Sequence, residues 1–307
     1  MPVRIVQVDA FTSRPFTGNP AAVCVLSQAP PDAWMREVAR EMNLSETAFL
    51  VPKSGSPQVD GYQLRWFTPA VEVDLCGHAT VASAHVLWED GHLPPASQAR
   101  FHTRSGLLLA DRRGEWIELD FPAIAPAPAE PPARLLEALG TAAKFVGKSR
   151  FDYLVETESE AVLRELTPDF TALRALGVRG VIVTARSSSP EFDFVSRFFA
   201  PSSGIDEDPV TGSAHCTLGP YWSARLHRQE FTAYQASARG GVVRVRVNGD
   251  RVILGGQAVT VLRGELAEYG AGDLAGGTGD RVDPGEAMRS GPSRPASPAA
   301  GLTAPRL

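Results

Sequence analysis

The sequence is short of everything that would point to a membrane, a nucleic acid or a cross-linked secreted domain. No apolar run approaches the roughly 18 residues that a membrane-spanning helix needs. The opening MPVRIVQVDAF also lacks the charged and then apolar segments of a secretory leader. A cytosolic protein with no membrane partner is therefore expected. Lys and Arg number 30 against 35 Asp and Glu, a net charge of −5, with the two signs interspersed. Without a basic stripe to neutralise phosphates, no nucleic-acid partner is expected. Only three cysteines occur, Cys24, Cys76 and Cys216, odd in number and far apart. They fit neither a disulfide framework nor a four-ligand zinc site and are read as free thiols.

What is present, in 307 residues, is enough chain for two domains of ordinary size. Strand signals run through both halves: VRIVQVDAF, AAVCVL, TAFLVP, YQLRWF and GLLLADRRGEWIELDF early, then GVIVTA, FDFVSRFF and GVVRVRVNGDRVILGG. DAWMREVAREM reads as a helix with Asp32 as its N-cap and with Trp34, Met35, Val38 and Met42 on one apolar face. More helix is expected in EAVLRELTPDFTALRALG, broken near Pro168.

The chain also repeats itself. Gly77, Arg104, Gly106 and Gly114 recur 135 positions later as Gly212, Arg239, Gly241 and Gly249, and RWFTP (65–69) matches RFFAP (197–201) at an offset of 132. Both copies place two strands around a tight turn, the second using Asn-Gly, a strong hairpin signal. Two copies of one fold follow: an N-terminal repeat domain over 1–122 and a C-terminal one over 135–265. Between them, 123–134 is a Pro/Ala-rich linker, and 266–307 is too poor in large apolar residues to build a core.

The repeat gives meaning to the loop IDEDPVTGSAH (205–215), whose three carboxylates beside Pro and Gly would otherwise read as a solvated turn. In each copy a strand, an aromatic-Pro motif and a loop lead to a Gly and then to a stretch of small residues: CGHATVASAHVLW and TGSAHCTLGPYW. A helix that is small or apolar all round is buried, so each copy is expected to wrap a mostly antiparallel, barrel-like sheet around a central helix, an α+β fold. Each helix starts at its Gly, where unsatisfied N–H groups and a partial positive charge suit a carboxylate. Two copies related by a pseudo-two-fold would aim both helix starts into one cleft, a site for a small carboxylate.

At those helix starts Cys76-Gly77-His78 faces Thr211-Gly212-Ser213. A thiol on each side is therefore not available for a two-base racemisation. Glu46 in NLSETAF falls between the predicted helix and a strand, where a partly desolvated carboxylate suits general acid/base work. Counted back from the paired strands, its counterpart in the second copy lies near Val178, so the cleft holds one such group. One carboxylate that takes and returns a proton suits an isomerisation. Cys76 reads equally as a small buried hydrophobe or as the thiol of an epimerase or dehydratase. His85 and His215 read as core histidines, Asp206 and Glu207 as solvated or loop-holding, and Glu72 and Asp74 as orienting His78 or facing water.

NLSETAF, RWFTPAVEVDLCGHAT, FAPSSGIDEDPVTGSAH and the early VDAFTSRPFTGNPAAV together resemble the PhzF-like phenazine-biosynthesis isomerase family, in order, over about 3–265. The resemblance implies a diaminopimelate-epimerase-like fold, a homodimer, and no cofactor or metal. It implies Glu46 as acid/base, His78, Asp208 and Ser213 as polar groups around the substrate, the backbones of Gly77 and Gly212 on its carboxylate region, and Ser45 as an added hydrogen bond. The reaction implied is that of trans-2,3-dihydro-3-hydroxyanthranilate isomerase, in which a proton moves from C3 to C1. A metabolite-binding protein without turnover is the reading from another class.

Overall fold

Alternation along each strand decides the layering. In NPAAVCV (Asn19–Val25), Ala21 and Val23 turn to one core while Ala22 and Cys24 turn to another, so a run with no polar gap is buried on both faces. The computed structural model describes residues 2–53 and 57–267. Nearly all of the low-complexity tail expected from 266 onward lies outside the described residues.

The first half holds strands β1 (Val3–Ala10), β2 (Asn19–Val25), β3 (Glu46–Pro52), β4 (Tyr62–Phe67), β5 (Glu72–Val73), β6 (Ala99–Thr103), β7 (Gly106–Arg113) and β8 (Trp116–Pro122), with helices α1 (Asp32–Met42), α2 (Pro57–Asp60) and α3 (Gly77–Glu89). The second holds β9 (Ala127–Pro128), β10 (Phe145–Lys148), β11 (Tyr153–Glu156), β12 (Val181–Arg186), β13 (Phe194–Phe199), β14 (Glu230–Gln235), β15 (Gly241–Asn248) and β16 (Arg251–Gly256), with α4 (Leu135–Leu139), α5 (Glu160–Glu165), α6 (Phe170–Ala175) and α7 (Gly212–Leu226). A last strand, β17 (Ala258–Leu266), returns to pair antiparallel with β1.

The halves are built alike, as the repeat implied. In each, two parallel pairings interrupt an antiparallel sheet: β2 with β3 and β4 with β6 in the first, β11 with β12 and β13 with β14 in the second. The equivalent hairpins β7–β8 and β15–β16 then meet, because β8 pairs antiparallel with β16 and joins the two sheets. Asn248 precedes Gly249 in the second hairpin turn, where φ of +60° suits a residue without Cβ.

Each sheet wraps a central helix. In α3 nearly every residue from His78 to Trp88 is buried, and its hydroxyls are satisfied inside the helix: Thr80 Oγ1 donates to Cys76 O at 2.5 Å and Ser83 Oγ to Ala79 O at 2.6 Å. In α7 the close fit is made at Gly219, where a Cβ would lie 3.0 Å from Val245 and 3.2 Å from Val247 of β15. Outside the sheets, α1 covers one core with Met35, Val38 and Ala39, which pack with Phe49 of β3, and α4 to α6 cover another with Leu139, Leu163 and Leu173. Among the described residues no helix is long and apolar enough to cross a membrane.

Three local expectations change. Pro31, not Asp32, is the N-cap of α1; Asp32 is its first residue and accepts from Arg65 Nη1 at 2.7 Å. The Pro/Ala-rich linker is strapped to the second half: Ala123 N donates to Asp250 O at 2.8 Å, Ile124 N to Cys216 O at 3.0 Å, and β9 pairs with β10. The bond from Ile124 has a specific cause. Pro220 lies inside α7 and has no N–H to give Cys216 O, so the connector supplies the missing donor. Finally, the register Thr47↔Phe67 in the first half answers to Val181↔Phe199 in the second, which makes Gly180 the counterpart of Glu46 rather than Val178.

The tight approach of α7 to β15 gives a stability prediction. Gly219→Leu has no room for its side chain and should lower unfolding free energy by about 1–3 kcal/mol, read as a lower urea midpoint at an unchanged slope; an unchanged midpoint would contradict this packing.

Candidate active site

The two central helices begin against each other. A Cβ placed on Gly77 would lie 3.6 Å from Gly212 Cα, and one placed on Gly212 would lie 3.7 Å from Gly77 Cα. Their N-cap residues, Cys76 and Thr211, are both extended, and neither side chain caps its helix. Neither helix start is closed by an N-cap hydrogen bond, and both helix dipoles favour an anion there.

The side chains that would have capped are engaged elsewhere. Thr211 Oγ1 donates to Asp208 Oδ2 at 2.5 Å, and Asn19 Nδ2 donates to Asp208 Oδ1 at 2.8 Å and to Val210 O at 2.9 Å. Gln235 closes the loop from below, donating to Asp208 O at 2.7 Å and accepting from Thr211 N at 2.9 Å. Asn19 comes from the first half and Asp208 from the second, so this network crosses between them. Ser45 Oγ joins it through Asn19 Oδ1 at 3.4 Å.

The rest of the acidic loop is held by arginines. Arg197 grips Glu207 through Nε at 2.7 Å and Nη2 at 2.9 Å, and Arg174 meets Asp206 at 3.0 Å. The first half repeats the device, with Arg65 gripping Glu72 at 2.8 and 2.6 Å; Arg104 joins Glu72 at 2.7 Å. Glu72 therefore fixes its own loop and does not orient His78, and Asp74 is exposed and 3.7 Å from Arg104.

Glu46 opens β3 and turns into the cleft beside His78. Its Oε2 lies 3.2 Å from His78 Nε2, with side-chain exposures of 12% and 6%. The contact is an ion-pair approach rather than an aligned hydrogen bond, and Oε2 has no hydrogen-bond partner among the described residues. Cys76 Sγ lies 3.5 Å from Nδ1 and 4.0 Å from Nε2 of the same ring.

Burial and neighbouring charge set the protonation states. Burial pulls His78 down, but Cys76 and Glu46 outweigh it and the net direction is well upward. The Cys76 thiol is itself pushed up to about 11 by burial and by Glu46, so it is neutral near pH 7. Asp208 is pushed up to about 6, chiefly by burial, against the lowering effects of His78 and of the Thr211 and Asn19 hydrogen bonds.

Glu46, Cys76 and His78 place donor atoms within 4.8 Å of one another, a carboxylate, thiol and imidazole set. Oε2 and Sγ lie 3.2 and 4.0 Å from His78 Nε2, so the three donors are spaced as ligands of a single ion would be.

Of the residues expected from sequence, Glu46, His78, Gly77 and Gly212 gather at the helix starts, with Ser45 and Asp208 tied to them through Asn19. Ser213 follows Gly212 and accepts from Arg179 Nη2 at 3.3 Å. Gly180, at the position equivalent to Glu46, has no space for a side chain: a Cβ would lie 2.4 Å from Phe198 and 2.9 Å from Asp152. His85 is half-buried and bonds Thr260 at 3.1 Å, whereas His215 is fully buried with Nδ1 on Thr211 O at 2.8 Å and Nε2 unpartnered. Sequence reasoning gave no role to Asn19, Gln235 or Arg179. Asn19 stood in the quoted TGNP stretch, whereas Gln235 and Arg179 carry no local signal.

A family model described as phenazine biosynthesis-like protein matches residues 8–264. An uncharacterized isomerase of Halalkalibacterium halodurans is 57% identical over 267 residues, which is 87% of this chain and 99% of that protein. Among solved structures, a phenazine biosynthesis protein of the PhzF family from Enterococcus faecalis superposes with a TM-score of 0.82 at 44% identity, over 87% of this chain and 100% of that one. A Pseudomonas aeruginosa protein described as a predicted epimerase shares the fold, with a TM-score of 0.68 at 24% identity over 87% of this chain and 100% of that one.

Asp208 offers a direct check on this electrostatic arrangement. Its carboxyl carbon should titrate by NMR near pH 6, and Thr211→Val, which removes a hydrogen bond to the ionised form, should move the midpoint upward. Because burial raises the folded value above that of the unfolded chain, Asp208 favours folding below about pH 3.9 and loses that contribution as pH rises through about 6. A midpoint in the ordinary carboxylate range would mean that the cleft is open to water at this point.

Proposed function

The chain belongs to the phenazine biosynthesis-like family and is an isomerase, and we propose that it moves a proton within a small carboxylate substrate with Glu46 as the one acid and base. The observation that carries this reading is the asymmetry at the helix starts. Glu46 is a cleft carboxylate with an oxygen free of hydrogen bonds, and its counterpart Gly180 has no room even for a Cβ. A group that removes a proton on one side and a different group that returns it on the other is thereby disfavoured.

In this mechanism the substrate carboxylate region lies on the open N–H groups at Gly77 and Gly212, where both helix starts favour negative charge. Glu46 takes the proton from the reacting carbon. Charge that develops on the substrate is stabilised by the same N–H groups and by the His78 imidazolium. Glu46 then returns the proton at the new carbon. Asp208, held by Thr211 and Asn19, and Ser213 engage the remaining polar groups, with Ser45 steadying Asn19. The Cys76 thiol, protonated to about 11, is poorly suited to act as the base. We take the protein to work without a cofactor or metal, as a cytosolic homodimer in which residues 1–122 and 135–265 form the two walls of the cleft.

The test uses trans-2,3-dihydro-3-hydroxyanthranilate as substrate, followed by NMR in H₂O and D₂O. Wild type should turn it over with little solvent deuterium at C1, and Glu46→Gln should lower the rate by about 10²-fold or more. Cys76→Ala should retain activity within a few-fold; its loss, with Glu46→Gln active, would transfer the chemistry to the thiol. Binding that survives Glu46→Gln, with no turnover by wild type of any bound carboxylate, would leave a metabolite-binding protein.

A further inference from the structure

The pseudo-two-fold also singles out a side chain that the proton transfer does not use. By strand register Ser45 and Glu46 answer to Arg179 and Gly180, and by sequence offset His78 answers to Ser213. Where the first half sets an anion 3.2 Å from His78, the second sets a cation 3.3 Å from Ser213. A carboxylate thus stands beside the start of one central helix and a guanidinium beside the start of the other.

Arg179 is held for such a task. Its Nε donates to Asp152 Oδ1 at 2.8 Å and its Nη2 donates to Asp152 Oδ2. The Phe151 and Phe198 rings lie 5.0 and 6.0 Å from its central carbon. Asp152 is 1% exposed whereas the Arg179 side chain is 43% exposed, and Nη1 has no hydrogen-bond partner among the described residues. One edge of the fork is fixed by a buried carboxylate and the other is left open beside Ser213. A planar, immobilised donor pair of this kind loses little freedom when it meets a second carboxylate.

The helix starts at Gly77 and Gly212 are close enough for one carboxylate to meet both. Ser213 is the next residue along α7, so the open edge of Arg179 lies one step from that position. We propose that Arg179 is a specificity-determining residue that can receive a second acidic group of a ligand, so that small diacids bind more tightly than monocarboxylates of the same length, while a monocarboxylate held at the helix starts is still accepted. The proposal rests on the reading above that a first carboxylate occupies the helix starts. It adds an orientation: the first acid group lies at the two glycines, the second on Arg179 and Ser213, and the reacting C–H faces Glu46.

The experiment compares calorimetric binding of succinate and glutarate with that of butyrate and valerate. Wild type should bind the diacid of each pair at least about tenfold more tightly. Arg179→Met should remove that ratio and Arg179→Lys should keep part of it. Asp152→Asn, which releases the guanidinium from its buried partner, should preserve or increase the ratio. If the pair were merely structural, the Asp152 and Arg179 substitutions would act alike. Because Arg179→Met leaves a buried carboxylate unpaired and can unfold the chain, the double variant Asp152→Asn/Arg179→Met is measured beside it, with thermal midpoints for each. Equal affinities in wild type, or a diacid preference that survives loss of Arg179 in a folded variant, overturns the proposal. The ratio is an equilibrium quantity without proton transfer, so its failure leaves the role of Glu46 standing, and inactivity of every substrate tried leaves the ratio standing.

Discussion

The contact on which the rest of the structure depends is the meeting of two helix starts at Gly77 and Gly212. A methyl group at either position would already touch the opposite backbone, 3.6 or 3.7 Å away, so both positions take the smallest residue. Much of the surrounding sequence follows from that requirement. The helices are rich in Ala, Ser, Thr and Gly because a sheet must close around each of them, and the buried hydroxyls of Thr80 and Ser83 in α3 bond back within that helix. The caps are withheld for the same reason. Were Thr211 to cap α7, it would no longer hold Asp208, and the first-turn N–H groups would be closed to a ligand.

Duplication supplied the frame, and departures from it supplied the chemistry. Positions that build the frame are alike in both halves: Arg65 with Glu72 and Arg197 with Glu207 clamp equivalent loops by the same bidentate geometry. Positions that face the cleft are not. Glu46 answers to Gly180, Cys76 to Thr211 and His78 to Ser213. Arg104 and Arg239, though in register, serve different partners: Glu72 for the one, Asp9 and the Gly18 carbonyl for the other. A symmetric scaffold thus carries a polarised arrangement, with Glu46 beside His78 in one half and Arg179 beside Ser213 in the other.

Much of this was readable in the sequence because two periodicities and one repeat are strong signals. The central helices, the hairpins β7–β8 and β15–β16 and the aromatic-Pro turns all lie on the repeat, and Glu46, His78, Asp208 and Ser213 lie beside it. What escaped depends on contacts far apart in the chain. Asn19 reaches Asp208 across 189 positions, and Arg179 reaches Ser213 across 34. Short strands such as β10 and β11 give too few residues to show alternation, and β17 is legible only as the partner of β1. Asp32 misled because an acidic residue fits the cap and the first turn of a helix equally well; Arg65 decided between them.

Pro220 bears on how the two halves are joined. A proline inside a helix ordinarily leaves a carbonyl to water, yet Cys216 O is buried and is taken by Ile124 from the connecting segment. The connector is accordingly a component of the α7 helix as well as a tether between halves, and the strand ladder β8–β16 runs beside it. Chain topology and site geometry are locked together at this point. Changing the length of the connector would shift the register of the donor that completes the helix carrying Thr211 and Ser213. The route by which the chain crosses from one half to the other is therefore as constrained as the residues that meet the substrate.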